Sequence, residues 1–191
     1  MFRENFSYQY APVLSLSPAE MSAIEELPEK DKDLILPIIP LKGWVGSQSL
    51  DNSVPRIEKS IGNKRKWIAD LDEDFLQGKK DLNGLYPREV FNQVERLLDS
   101  SEGYDNWFNF IKEEAMATPV VQLADMTQLE LQLKKLNSLD RGLAFRFNPI
   151  HIQQSAHLKV AQKLSEMGLS DVFLIFDYEQ VSSKYVHFFL N

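Results

Sequence analysis

The 191 residues carry 28 Asp and Glu against 21 Lys and Arg, and this formal charge of -7 repels phosphate backbones and argues against nucleic acid as a partner. The absence of cysteine excludes disulfides and thiolate metal sites, and 43% hydrophobic residues suffice for one buried core, so a single domain over 1–191 is expected. The longest apolar run, LILPIIPL at 34–41, falls far short of the roughly 20 residues that span a bilayer, and the opening MFRENFSYQYAP lacks the apolar core of a signal peptide, so a cytoplasmic protein without membrane attachment is expected.

Residues 10–16 (YAPVLSL) are short and β-prone. Ser17-Pro18-Ala19-Glu20 then combines a capping serine, a proline at the first helical position and a carboxylate in the first turn. A helix is therefore expected from Pro18, with Met21, Ala23, Ile24 and Leu27 on one face and its end near Pro28. The run at 34–41 is continuous rather than alternating, as in a strand covered on both faces of a parallel sheet. Residues 50–61 predict a helix with Ser53 as cap and Gly62-Asn63 as stop, and 67–71 a third strand. Helical spacing recurs over 90–98 and 106–116 around a turn at 99–103. A strand at 118–123, a helix at 127–139, a strand at 142–147, a helix at 155–167 stopped by Gly168, and a strand at 171–176 follow. Residues 184–190 (KYVHFFL) read as one further strand.

Six strand-then-helix alternations without a hairpin dipeptide point to an α/β fold with right-handed crossovers and a largely parallel sheet. A barrel and an open sheet both fit this pattern. No Gly-x-Gly-x-x-Gly or Walker-type loop supports a nucleotide-binding open sheet. A complete eight-unit barrel needs at least about 200 residues, so an incomplete TIM-barrel-like sheet of six to seven strands is expected.

Tyr10-Ala11-Pro12-Val13-Leu14, Glu20 and Ala23, Leu36-Pro37-Ile38-Ile39, Asp70-Leu71, Pro119-Val120-Val121, Arg146 in AFRF and Asp177 in LIFD occur in an order that resembles the beta family proteins of phages, prophages and bacterial defence regions. The resemblance runs through nearly the whole chain and implies a TIM-type barrel and a phage or anti-phage defence setting. Ser15 and Ser17 stand where that family tends to place lysines, and Pro40 where it tends to place a glutamate, which implies a partly degenerate site. The end at Asn191 reads as a truncated member of a longer family.

Ligands of α/β sheets meet the carboxyl ends of the strands, which singles out Lys42, Asp70, Asp72, Gln122, Arg146, Asp177 and Glu179. Asp70, Arg146 and Asp177 stand out because a charge within a strongly apolar strand is costly unless it is paired or functional. In KWIADLDEDF, strand alternation puts Asp70 and Asp72 on one side, with Glu73 and Asp74 past the strand's end. One reading pairs Asp70 with Arg146 in a structural ion network, takes no cofactor, and assigns the protein to binding another protein. The other is a phosphoesterase or nuclease in which Asp70, Asp72 and Asp177 hold magnesium or manganese while Lys42 or Arg146 holds the phosphate.

His151, His157 and His187 form no hydrolase motif and read as satisfied or solvated side chains. Asn63-Lys64-Arg65-Lys66 reads as a solvated loop, and Tyr104, Trp107, Phe108 and Phe110 are too many rings for one buried face, so part of that group is a candidate protein contact. An uncovered edge beside 184–190 would call for a protein partner or self-association.

Overall fold

The computed structural model describes residues 8–148 and 155–177. In chain order these form α1 (Pro18–Glu25), α2 (Glu29–Lys32), β1 (Ile38–Leu41), α3 (Ser53–Ile61), β2 (Trp67–Leu71), α4 (Glu89–Leu98), α5 (Ser101–Glu113), β3 (Ala117–Pro119), α6 (Leu129–Asn137), β4 (Leu143–Phe147), α7 (Ala156–Met167) and β5 (Val172–Phe176). α1 starts as its sequence dictates: extended Ser17 accepts a hydrogen bond from the Glu20 N–H, and Pro18 occupies the first turn, where no N–H is needed.

Among the described residues the expected TIM-barrel-like sheet of six to seven strands is not formed. The described residues contain five strands in two small parallel sheets, β1-β2-β3 and β4-β5. A single bridge, Val120 to Ala144, lies between them. Residues 10–16 make only isolated bridges, Tyr10 to Ile35 and Val13 to Ile38, and the strand expected at 34–41 begins at Ile38. The expected strand at 184–190 lies outside the described residues.

Prolines account for the difference. The Leu14 N–H donates to the Ile38 carbonyl at 2.9 Å, and since donors on one side of an extended chain recur every second residue, the preceding donor would be Pro12, which has none. The Val121 N–H likewise donates to the Ala144 carbonyl at 2.8 Å, and two residues earlier stands Pro119. Each ladder is cut where its next bond should form.

Within each strand the two faces have separate uses. Ile39 and Leu41, Ala69 and Leu71, Val121, and Leu143, Phe145 and Phe147 join the main core together with helix residues such as Ile57, Val94, Trp107 and Leu133. The intervening residues Ile38, Ile68, Val120, Ala144 and Ile175 form a smaller apolar cluster with Leu36. One step of two further along, on the same face, stand Pro40, Asp70, Gln122, Arg146 and Asp177. This period of two is what gathers the polar groups at the strands' carboxyl ends.

The start of α5 is irregular: Glu102, Gly103 and Tyr104 are all left-handed, with φ of 52, 68 and 58°. A Cβ on Gly103 would meet Leu131 Cγ at 2.8 Å and the Gln132 backbone nitrogen at 3.0 Å, so glycine is required by space as well as by φ. Tyr104 and Trp107 are buried, and Phe108 and Phe110 pack on the same core while remaining partly exposed. Beside this turn the Gln132 side chain is fully buried, and neither its oxygen nor its nitrogen has a hydrogen-bond partner among the described residues. Gln132→Met removes the unpaired amide at nearly constant volume. It is expected to raise stability by about 1–2 kcal/mol, read as a higher urea midpoint with an unchanged m-value.

Candidate functional site

A cavity of about 250 Å³ opens at the carboxyl ends of β1 to β4. Lys42, Asp72 and Asn148, each the first residue after its strand, line it with Asp70, Gln122 and Arg146. Ser15, Pro40, Glu73 and Asp74 add to the lining, and Val13, Val120, Val121 and Leu123 supply apolar wall.

Arg146 organises the floor. Its Nη1 donates to Asp70 Oδ2 at 2.9 Å, while its Nε, at 2.8 Å, and its Nη2 both donate to Asp177 Oδ2. β5 sets Asp177 in place, because the Asp177 N–H continues the β4 ladder onto the Phe147 carbonyl at 3.0 Å. Asp70 is 6% exposed, and its Oδ1 accepts the Leu71 N–H at 2.8 Å. Trp107 Nε1 at 3.0 Å and Gln122 Nε2 at 3.3 Å both donate to the Val120 carbonyl, fixing the end of β3 beside Asp70. Nearer the mouth, Lys42 Nζ donates to Asp72 Oδ2 at 2.9 Å.

Burial pushes the Asp70 carboxyl above its ordinary value of 3.8, against the opposing pull of Arg146, Leu71 and Gln122. Burial acts to lower the Arg146 pKa, but the two carboxylates outweigh it and hold the guanidinium pKa above its ordinary value. A carboxyl whose folded pKa is raised binds its proton more tightly in the folded state, so its contribution to stability falls as pH rises from 3.8 through the folded value. The stability difference between wild type and Asp70→Asn is therefore expected to shrink over that window and then level, measured by urea unfolding at stepped pH. A difference that grows with pH would show that pairing with Arg146 outweighs burial and sets the Asp70 pKa below its ordinary value. Paired surface carboxylates such as the exposed Glu29, Glu89 and Glu130 and the half-buried Glu25 are shifted down by their hydrogen bonds to cations, and their contribution is present above the ordinary 4.5 and is lost as pH falls below it.

Among the residues singled out in the sequence, Lys42, Asp70, Asp72, Gln122 and Arg146 come together around the cavity, and Asp177 joins through Arg146. Glu179, His151 and His187 lie outside the described residues, and His157 sits on α7 with its ring perpendicular to that of Phe147. Arg65 of the basic loop ties α3 to α2 by bonds to Glu29 and Asp33. Asp70, Asp72 and Asp177 would be the ligands of a magnesium or manganese ion, yet each makes an ion pair with Arg146 or Lys42, and among the described residues no three His, Cys, Asp or Glu side chains are grouped to hold a metal ion. Asn148 is a lining residue that sequence reasoning missed. Its signal was position, since it follows Phe147 as Asp72 follows Leu71. Among the described residues no helix is long and apolar enough to cross a membrane.

The family described as Beta protein matches residues 10–188. Protein beta of Enterobacteria phage P4 is 26% identical over 175 residues, which cover 90% of this chain and 46% of that protein, so the chain spans about half the length of this curated relative. No solved structure matches the chain.

Proposed function

We propose that this chain, which belongs to the Beta protein family, works in a phage or defence setting by binding another protein, and that the charged groups at its strand ends serve as a structural ion network. The observation that carries this reading is Arg146, which spans Asp70 and Asp177 and so commits two of the three candidate metal ligands to one cation. Lys42 occupies the third. The loops that leave the same end of β1 and β2 carry Val45, Leu82 and Leu85 as exposed apolar side chains. Binding residues concentrate on such loops, and the Asp81 carboxylate holds the tip by accepting the Asn83 and Leu85 N–H groups at 2.8 and 3.0 Å.

The test is cross-linking of the tagged chain in phage-infected cells, run beside Leu82→Asp and a phosphodiesterase assay with manganese. A stoichiometric partner, or a second copy of the chain, recovered with wild type and lost with Leu82→Asp supports the reading. Manganese-dependent hydrolysis that disappears in Asp70→Asn overturns it in favour of a metal-dependent phosphoesterase.

A further inference from the structure

We infer that Asn83 is a self-modification site, an asparagine that cyclises onto the Gly84 nitrogen and reopens as aspartate or isoaspartate, and that Asp81 sets the rate. The conversion needs no partner, so it goes beyond the protein-binding reading and stands or falls apart from it.

Three observations meet at this loop tip. Asn83 is the only asparagine of the chain followed by glycine, and a residue without a Cβ leaves its own nitrogen least hindered for attack on the preceding side chain. Residues 77–85 are exposed without interruption, so water reaches the Asn83 amide, and beyond the chain neighbours nothing lies within 4 Å of where a Gly84 Cβ would stand. The turn is nevertheless clasped. The Gly84 N–H donates to the Asp81 carbonyl at 3.0 Å, and the Asp81 carboxylate accepts the Asn83 and Leu85 N–H groups at 2.8 and 3.0 Å. A nitrogen whose N–H is held in a turn loses its proton and swings toward the neighbouring side chain only when the turn opens. Asp81 supplies the acceptor in all three bonds, so it controls that opening.

The atoms balance with water alone. Solvent takes the Gly84 amide proton, the nitrogen attacks Asn83 Cγ, and a succinimide ring closes as the Cγ–Nδ2 bond breaks and ammonia leaves with a proton returned from solvent. Water then opens the ring, giving aspartate where the bond to Cγ breaks and isoaspartate where the bond to the main-chain carbonyl carbon breaks. Either product adds a negative charge beside the exposed Leu82 and Leu85. Isoaspartate also adds a methylene to the main chain, which costs the clasp its register.

The test holds the full chain, its Asp81→Ala and Gly84→Ala variants, and a synthetic peptide of residues 79–87 at neutral pH and constant temperature. Peptide mapping follows aspartate and isoaspartate at position 83, and unfolding midpoints verify that both variants are folded. Wild type is expected to convert more slowly than the peptide, Asp81→Ala roughly tenfold faster than wild type through the two lost hydrogen bonds, and Gly84→Ala not to convert on that timescale. No conversion of wild type once the peptide has reacted fully overturns the site. Equal rates for wild type and Asp81→Ala overturn the control by Asp81, and undiminished conversion of Gly84→Ala overturns the cyclisation.

Discussion

Arg146→Met is expected to lower the unfolding free energy by about 3–5 kcal/mol, because it leaves the Asp70 carboxylate buried without its cation and strips Asp177 of its guanidinium. For a chain of this length that corresponds to a fall in melting temperature of roughly 6–20 °C. Asp70→Asn should cost less, since Arg146 keeps Asp177 and the amide oxygen can still accept the Leu71 N–H. The combination Asp70→Leu/Arg146→Met separates two meanings of the network. Buried ion pairs replaced together by apolar groups are often neutral or stabilising, so the double variant should regain at least half of what Arg146→Met loses. Urea unfolding of the four proteins measures this directly. A double variant as unstable as Arg146→Met alone would show that Asp177, not Asp70, is the group that needs the charge.

The polar face was legible in the sequence because it rests on a period that every strand repeats. Ile68 then Asp70, Ala144 then Arg146, and Ile175 then Asp177 can be read without coordinates as an apolar residue and a charge two positions on, at strand ends. The start of α1 was equally open, since Ser17, Pro18 and Glu20 act within one turn. The extent of the sheet was not. Whether Pro12 or Pro119 breaks a ladder depends on which side of the chain the neighbouring strand lies, and that is a tertiary fact; the same residues with their nitrogens facing elsewhere would have been harmless. The left-handed turn at 102–104 escaped for a similar reason. Gly103 hinted at a turn, but positive φ at Glu102 and Tyr104 is sustained by what surrounds them: the Gly103 N–H donates to Gln128 Oε1 at 3.0 Å and the Asp125 N–H to the Tyr104 hydroxyl at 2.9 Å.

Trp107→Ala is expected to cost about 3–5 kcal/mol, and its effect should reach the cavity as well as the core. The ring is fully buried, stacked on Phe110 at 5.9 Å between centroids, and its Nε1–H donates to the Val120 carbonyl at 3.0 Å. That carbonyl belongs to the residue whose N–H donates to the Ala69 carbonyl at 2.7 Å, next to Asp70, and whose neighbour Val121 makes the hydrogen bond to Ala144. Trp107 thus holds from the helix side the short segment on which β2 and β4, and with them Asp70 and Arg146, keep their spacing. Trp107→Phe separates packing from anchoring, since it keeps most of the apolar area but leaves Val120 only the longer bond from Gln122 at 3.3 Å. A loss of about 1–2 kcal/mol, accompanied by amide shifts at Asp70, Gln122 and Arg146, would establish the indole N–H as a support of the site. The same loss without any shift at those residues would confine Trp107 to packing and leave the floor of the cavity to the Arg146 network alone.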